Sequence, residues 1–256
     1  MSAEVPGGAF RAARRALALG AGIAFLSPAA VGAAPAATVQ AMVVGQNGVV
    51  LDGPRSVSGA GASVSVAGRH CSVAAWTPLA VLVGLRRLGG PAFALRDYGH
   101  CGSAARNSAQ LFVYRLAGES NRAQNGWEYK VGGLSGTTGA ADPSGIRGDG
   151  RLLHPGQRVL WFWCAASAGG CERTLEVSAS GSIGRGGTLA VRVTGYDNEG
   201  RGAPAAGAVV RLGTDFATTT GSGRASLIVP ATPGRYLLSA SRSGLVPAFP
   251  ETIVVR

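Results

Sequence analysis

The sequence predicts an α+β segment, one helix on a mainly antiparallel sheet, followed by an all-β sandwich, behind an N-terminal signal peptide. Three observations carry this. Between residues 38 and 174, only 77–88 has the cap and apolar pattern of a convincing helix. Residues 175–256 hold seven short runs of strand character, separated by regularly spaced turn residues. The first 34 residues place three arginines before a short apolar run and a stretch of small residues.

Arg11, Arg14 and Arg15 precede apolar residues 16–26, and Ala29-Ala30-Val31-Gly32-Ala33-Ala34 follows. That is the order of a bacterial-type export signal, with the cut expected after Ala34. The rival reading is a membrane anchor. A spanning helix needs about 20 apolar residues, and Ser27-Pro28 breaks this run at about half that length. No second run of spanning length follows, so no transmembrane anchor is expected once the signal is removed. The Arg14-Arg15 pair leaves both general and twin-arginine export open. The expected location is extracellular, either secreted or held at the cell envelope.

In segment 38–174, apolar residues 38–46 and 49–51 flank Asn47-Gly48, a strong short hairpin signal because both turn positions favour positive φ. Thr77 is a suitable cap for the helix and Pro78 a suitable first residue. Leucines and valines occupy most of its surface, leaving Ala80, Gly84 and Arg87 as a narrow outer strip. Such a helix needs cover on most sides and is expected to lie across a sheet. Gly89-Gly90-Pro91 ends it. Strands are expected at 93–98, 110–116, 127–131 and 158–164. A long glycine-rich loop spans 132–156, with Asp142-Pro143 and Asp149-Gly150 as turn signals. In segment 175–256, strands are expected at 175–178, 188–195, 208–212, 217–219, 225–229, 235–241 and 252–255. Alternation such as Leu189-Val191-Val193 gives each a buried and an open face.

The chain has 256 residues, 41 of them glycine, and a formal charge of +11. Loss of residues 1–34 removes three arginines and one glutamate and leaves +9. Lys130 is the only lysine. The arginines are scattered rather than gathered in a stripe, so no nucleic-acid partner is expected. The expected partner is an unidentified envelope component or a small molecule. With 13 acidic residues and three histidines, catalytic material is sparse. Paired carboxylates, a Gly-x-Ser-x-Gly elbow and a His-Glu-x-x-His helix are all missing from the sequence. A non-enzymatic protein is expected, with no cofactor and no metal.

Cys71, Cys101, Cys164 and Cys171 are even in number in a chain expected to be exported, which favours two disulfides. Three pairings are possible, and the sequential one, Cys71 with Cys101 and Cys164 with Cys171, is expected. Neither gap has the Cys-x-x-Cys form of a metal site. His70 and His100 each adjoin a cysteine, but neighbours in a strand point to opposite faces and cannot act as base and nucleophile.

Trp76-Thr77-Pro78-Leu79-Ala80-Val81-Leu82, Asn125-Gly126-Trp127-Glu128-Tyr129-Lys130-Val131-Gly132 and Val159-Leu160-Trp161-Phe162-Trp163 follow one another in segment 38–174. Together they resemble a domain of unknown function related to the transcobalamin C-terminal domain. The resemblance implies a ligand edge near residues 126–132 and the adjacent loop, of the kind that helps enclose a corrinoid. Residues 188–193, 197–200, 206–210, 223–225 and 234–236 resemble an exported immunoglobulin-like or carboxypeptidase-regulatory-like sandwich, which implies a spacer or adhesion module.

Trp127 and Tyr129 share a strand face, as do Trp161 and Trp163, with Phe162 opposite. These rings suit a core beneath the helix. They equally suit a platform for a flat ring or a sugar, with Trp76 beside the helix cap. Trp76, Trp127 and Tyr129 are therefore the candidate ligand residues. Asp142 and Asp149 lack the alternating acids of a calcium loop and read as turn formers, as do Asp197 and Glu199 at a hairpin tip.

Overall fold

The computed structural model describes residues 37–256; the expected signal peptide over 1–34 lies outside them. The architecture is mainly β, with several sheets and one α-helix among the described residues.

The first part of the chain runs β1 (Thr38–Val44), β2 (Val50–Ser58), β3 (Ala62–Val66), β4 (Arg69–Val73), α1 (Pro78–Arg87), β5 (Phe93–Asp97), β6 (Leu111–Leu116), β7 (Glu119–Ser120), β8 (Gly126–Val131), β9 (Leu134–Ser135) and β10 (Arg158–Cys164). Its main sheet has the order β2-β1-β10-β8-β9. β1 and β10 are parallel; the other neighbours are antiparallel. Asn47 and Gly48 adopt positive φ in the β1–β2 turn, as their residue types predict. Smaller sheets pair β3 with β4 and order β5-β6-β7.

β1 and β10 are buried on both faces, which is why they read as continuous apolar runs. On one face Val39, Ala41, Val43, Val159, Trp161 and Trp163 join a core that includes Leu79, Leu82 and Leu85 of α1. On the other, Met42, Val44, Leu160, Phe162 and Cys164 pack with Val246 and Phe249 from the end of the chain. The helix therefore lies against the sheet as expected. Ala80 is 1 % exposed, so it belongs to the covered face and not to an outer strip. Leu88 is open to solvent instead.

The second part runs β11 (Thr174–Ala179), β12 (Ser182–Ile183), β13 (Thr188–Tyr196), β14 (Gly202–Pro204), β15 (Val209–Leu212), β16 (Asp215–Thr218), β17 (Arg224–Ile228), β18 (Gly234–Ser241) and β19 (Glu251–Val255). One sheet orders β11-β13-β14, with β17 also paired to β13; the other orders β12-β19-β18-β15-β16. The result is sandwich-like. Leu189, Val191, Val193 and Leu227 from one sheet meet Val210, Leu212, Leu238 and Ile253 from the other.

Lys130 stands at the junction of the two parts. It is fully buried. Its ammonium donates to Tyr196 O (3.2 Å), Asp197 O (3.1 Å) and Thr174 Oγ1 (3.4 Å), which accounts for all three protons. The Phe162 ring lies 5.7 Å from Nζ. Ser135 N donates to Asn198 O, and Arg158 pairs with Glu251. Both disulfides take the sequential pairing, Cys71 with Cys101 and Cys164 with Cys171.

Candidate functional site

Register builds the site. Across the β8–β10 ladder, Tyr129 stands directly opposite Trp161 and Trp127 opposite Trp163. Tyr129 and Trp161 lie with ring centroids 5.6 Å apart; Trp127 meets Trp163 edge-on at 5.8 Å. These separations suit attractive aromatic pairs.

β8 is paired along its whole length with β10, but β9 covers only Lys130 and Val131 on the other side. β6 is likewise covered by β7 only at Arg115 and Leu116. The Asn121 carboxamide spans the gap between these two edges at one end. Its Oδ1 accepts from Trp127 N (3.0 Å), and its Nδ2 donates to Val113 O (3.4 Å). Beyond Asn121 the gap opens into a cavity of about 270 Å³. Trp127, Tyr129, Trp161, Leu111 and Phe112 line it, and loop residues 136–140 close it.

The loop is fixed by the ring it covers. Tyr129 Oη donates to Thr138 O at 3.0 Å. A side chain at Gly136 would run into the Tyr129 ring, so the chain passes here only as glycine. Burial raises the Tyr129 phenol above its ordinary pKa, with the charges of Glu128 and Asp142 acting in the same direction. It is therefore a neutral donor through the physiological range. The Trp127 indole donates to Glu119 O at 2.9 Å. The Trp161 indole differs. Its Nε1 is buried and has no hydrogen-bond partner, although the residue is only 2 % exposed. An orphan buried donor costs about 1–3 kcal/mol.

Of the candidate ligand residues, Trp127 and Tyr129 come together here. Trp76 does not join them: it sits at φ 60 before the helix, packs against Gly59, and its carbonyl takes Leu153 N. Trp161 was legible as a partner of Trp163 on one face, but its unpaired N–H leaves no local signature.

The polar candidates are occupied elsewhere. Asp97 accepts from Gly99 N, Cys101 N and Arg69. Burial pushes its carboxyl up, but these partners outweigh burial and hold it below its ordinary pKa. Asp142 and Asp149 each cap their own turns through Ser144 and Arg151. Asp197 organises its hairpin tip through Glu199 N and Arg201. Glu128 is the one carboxylate lining the cavity, so the lining offers no acid–base pair.

Comparison with known proteins finds no relative: no family model matches the sequence, no curated protein matches it, and no solved structure matches the fold.

Proposed function

We propose that this chain is an exported, non-catalytic binding protein of the cell envelope. On this reading, residues 38–174 form a transcobalamin-C-terminal-like ligand module, and residues 175–256 an immunoglobulin-like sandwich that supports it. The single observation that carries a ligand role is a cavity walled by three aromatic rings, Trp127, Tyr129 and Trp161. Such a site takes a neutral ring-sized group that stacks on aromatic walls. At about 270 Å³ it falls just below the roughly 300–1,000 Å³ usual for drug-sized ligands. A sugar ring or the edge of a planar heterocycle fits that size better than a whole macrocycle. Two disulfides favour an oxidising compartment. Among the described residues no helix is long and apolar enough to cross a membrane.

Tryptophan fluorescence titration against cobalamin and a panel of neutral glycans tests this. A ligand of the site quenches or shifts the emission saturably. The variant Trp161→Phe narrows the aromatic wall, and its affinity falls about three- to ten-fold. Failure of every panel member to bind, or equal affinity in Trp161→Phe, removes the ligand reading and leaves a structural role.

A further inference from the structure

A second feature, remote in sequence from the aromatic cavity and independent of it, lies on the outer face of the sheet formed by β11, β13 and β17. Arg192 of β13 and Arg224 of β17 stand directly opposite each other in the antiparallel ladder. Both side chains are exposed. Residues so placed have Cβ atoms about 4.5–5.5 Å apart, and like charges there repel. Neither arginine forms an ion pair within 4 Å among the described residues, whereas Arg55, Arg69, Arg158, Arg173 and Arg201 all do.

Both arginines line an open hollow of about 510 Å³ on this face. Ser178, Thr218, Thr220 and Ser226 are hydroxyl residues that also line it, and no carboxylate lines it. Ser178 is directly opposite Arg192 on the side away from Arg224, so one row across the sheet reads hydroxyl, arginine, arginine. In the next row Ala190 faces Ser226, and these short side chains leave the space open. Glu176 borders the adjoining hollow beside Arg192, which disfavours an anion on that side and directs it toward Thr220 and Ser226.

We propose that this hollow is a phosphate-binding site. Guanidinium forks bind phosphate oxygens through paired, charge-assisted hydrogen bonds, and two opposed forks with neighbouring hydroxyls suit a tetrahedral oxyanion. A single phosphate at so open a site binds weakly. A surface or polymer carrying many phosphates gains by multiple attachment.

The test uses the full mature chain and inorganic phosphate as probe, at constant ionic strength with chloride as reference. Arginine side-chain Nε–Hε NMR resonances of Arg192 and Arg224 shift saturably with phosphate. Arg192→Gln and Arg224→Gln each weaken binding about ten-fold. Arg185→Gln removes the same charge from another exposed position and changes affinity less than about two-fold. Without phosphate, Arg192→Gln is at least as stable as the parent, because the repulsion is gone. Equal weakening by all three variants means diffuse attraction to a basic protein and overturns the proposal, as does the absence of saturation. Co-sedimentation with equimolar phosphatidylglycerol–phosphatidylcholine vesicles, set against binding to a soluble phosphodiester polymer, separates a lipid source from a polymer source. Retention by either that is lost in Arg224→Gln supports the site; retention by either that survives in that variant counts against it.

Discussion

At the scale of single residues, Lys130 concentrates the most physical chemistry. Burial lowers its pKa from 10.5 to about 8, with Arg173 acting in the same direction, while Asp197 and Glu199 oppose the fall. The unfolded chain therefore holds this proton more tightly than the folded one between about pH 8 and 10.5. Stability gains from this residue as pH rises through that window, by about 3 kcal/mol. Urea denaturation at pH 8 and pH 10.5, set against Lys130→Ala, isolates the effect from the titration of Tyr129. Lys130→Ala itself orphans the carbonyls of Tyr196 and Asp197 and leaves a void. It is expected to cost about 2–4 kcal/mol at pH 7. Nothing in the sequence announces this burial. Alternation placed Lys130 beside Glu128, away from the aromatic face, and nothing local reveals that the second part of the chain covers the far side.

At the scale of elements, legibility followed local chemistry. α1 was readable because its start is written in adjacent residues. Thr77 Oγ1 accepts from Ala80 N (3.3 Å) and donates to Ala74 O (2.8 Å), and Pro78 opens the first turn. Thr77→Ala is expected to lower stability by about 1–2 kcal/mol in denaturant titration, and Thr77→Ser to recover most of it. The strand runs around Trp127 and Trp161 were equally legible, the first from alternation and the second as a short, unbroken apolar and aromatic run. The β3–β4 hairpin escaped notice. Its turn is Ala67-Gly68, with both residues at positive φ. Alanine is a poor marker of that conformation, whereas Asn47-Gly48 announces it. The short strands β7, β9 and β14 were also hidden, because each simply folds back on the strand before it and is too short to show alternation, while β12 pairs with the distant β19.

For the whole molecule, the core shared by the two parts of the chain governs unfolding. Phe162 is fully buried among Met42, Leu160, Val246 and Phe249, which come from both parts of the chain. Phe162→Ala is expected to cost about 3–5 kcal/mol. In calorimetry, the parent should melt in one transition and Phe162→Ala should separate into two; two transitions in the parent would show that the shared cluster does not couple them. The disulfides act at the same scale. Cys71 and Cys101 are 30 residues apart, and Cys164 and Cys171 are 7 apart. In the chain-entropy account their removal costs about 4 and about 2.5 kcal/mol respectively. Paired Cys→Ser variants should lower the melting temperature in that order.

The seclusion of Lys130 has a practical corollary. It is the sequence's sole lysine, and it is wholly covered in the fold. Every other basic side chain except histidine is an arginine. A succinimidyl ester therefore meets no reactive side-chain amine on the native protein. Acylation at this position becomes a chemical clock for the parting of the two halves, read by mass spectrometry without any introduced label.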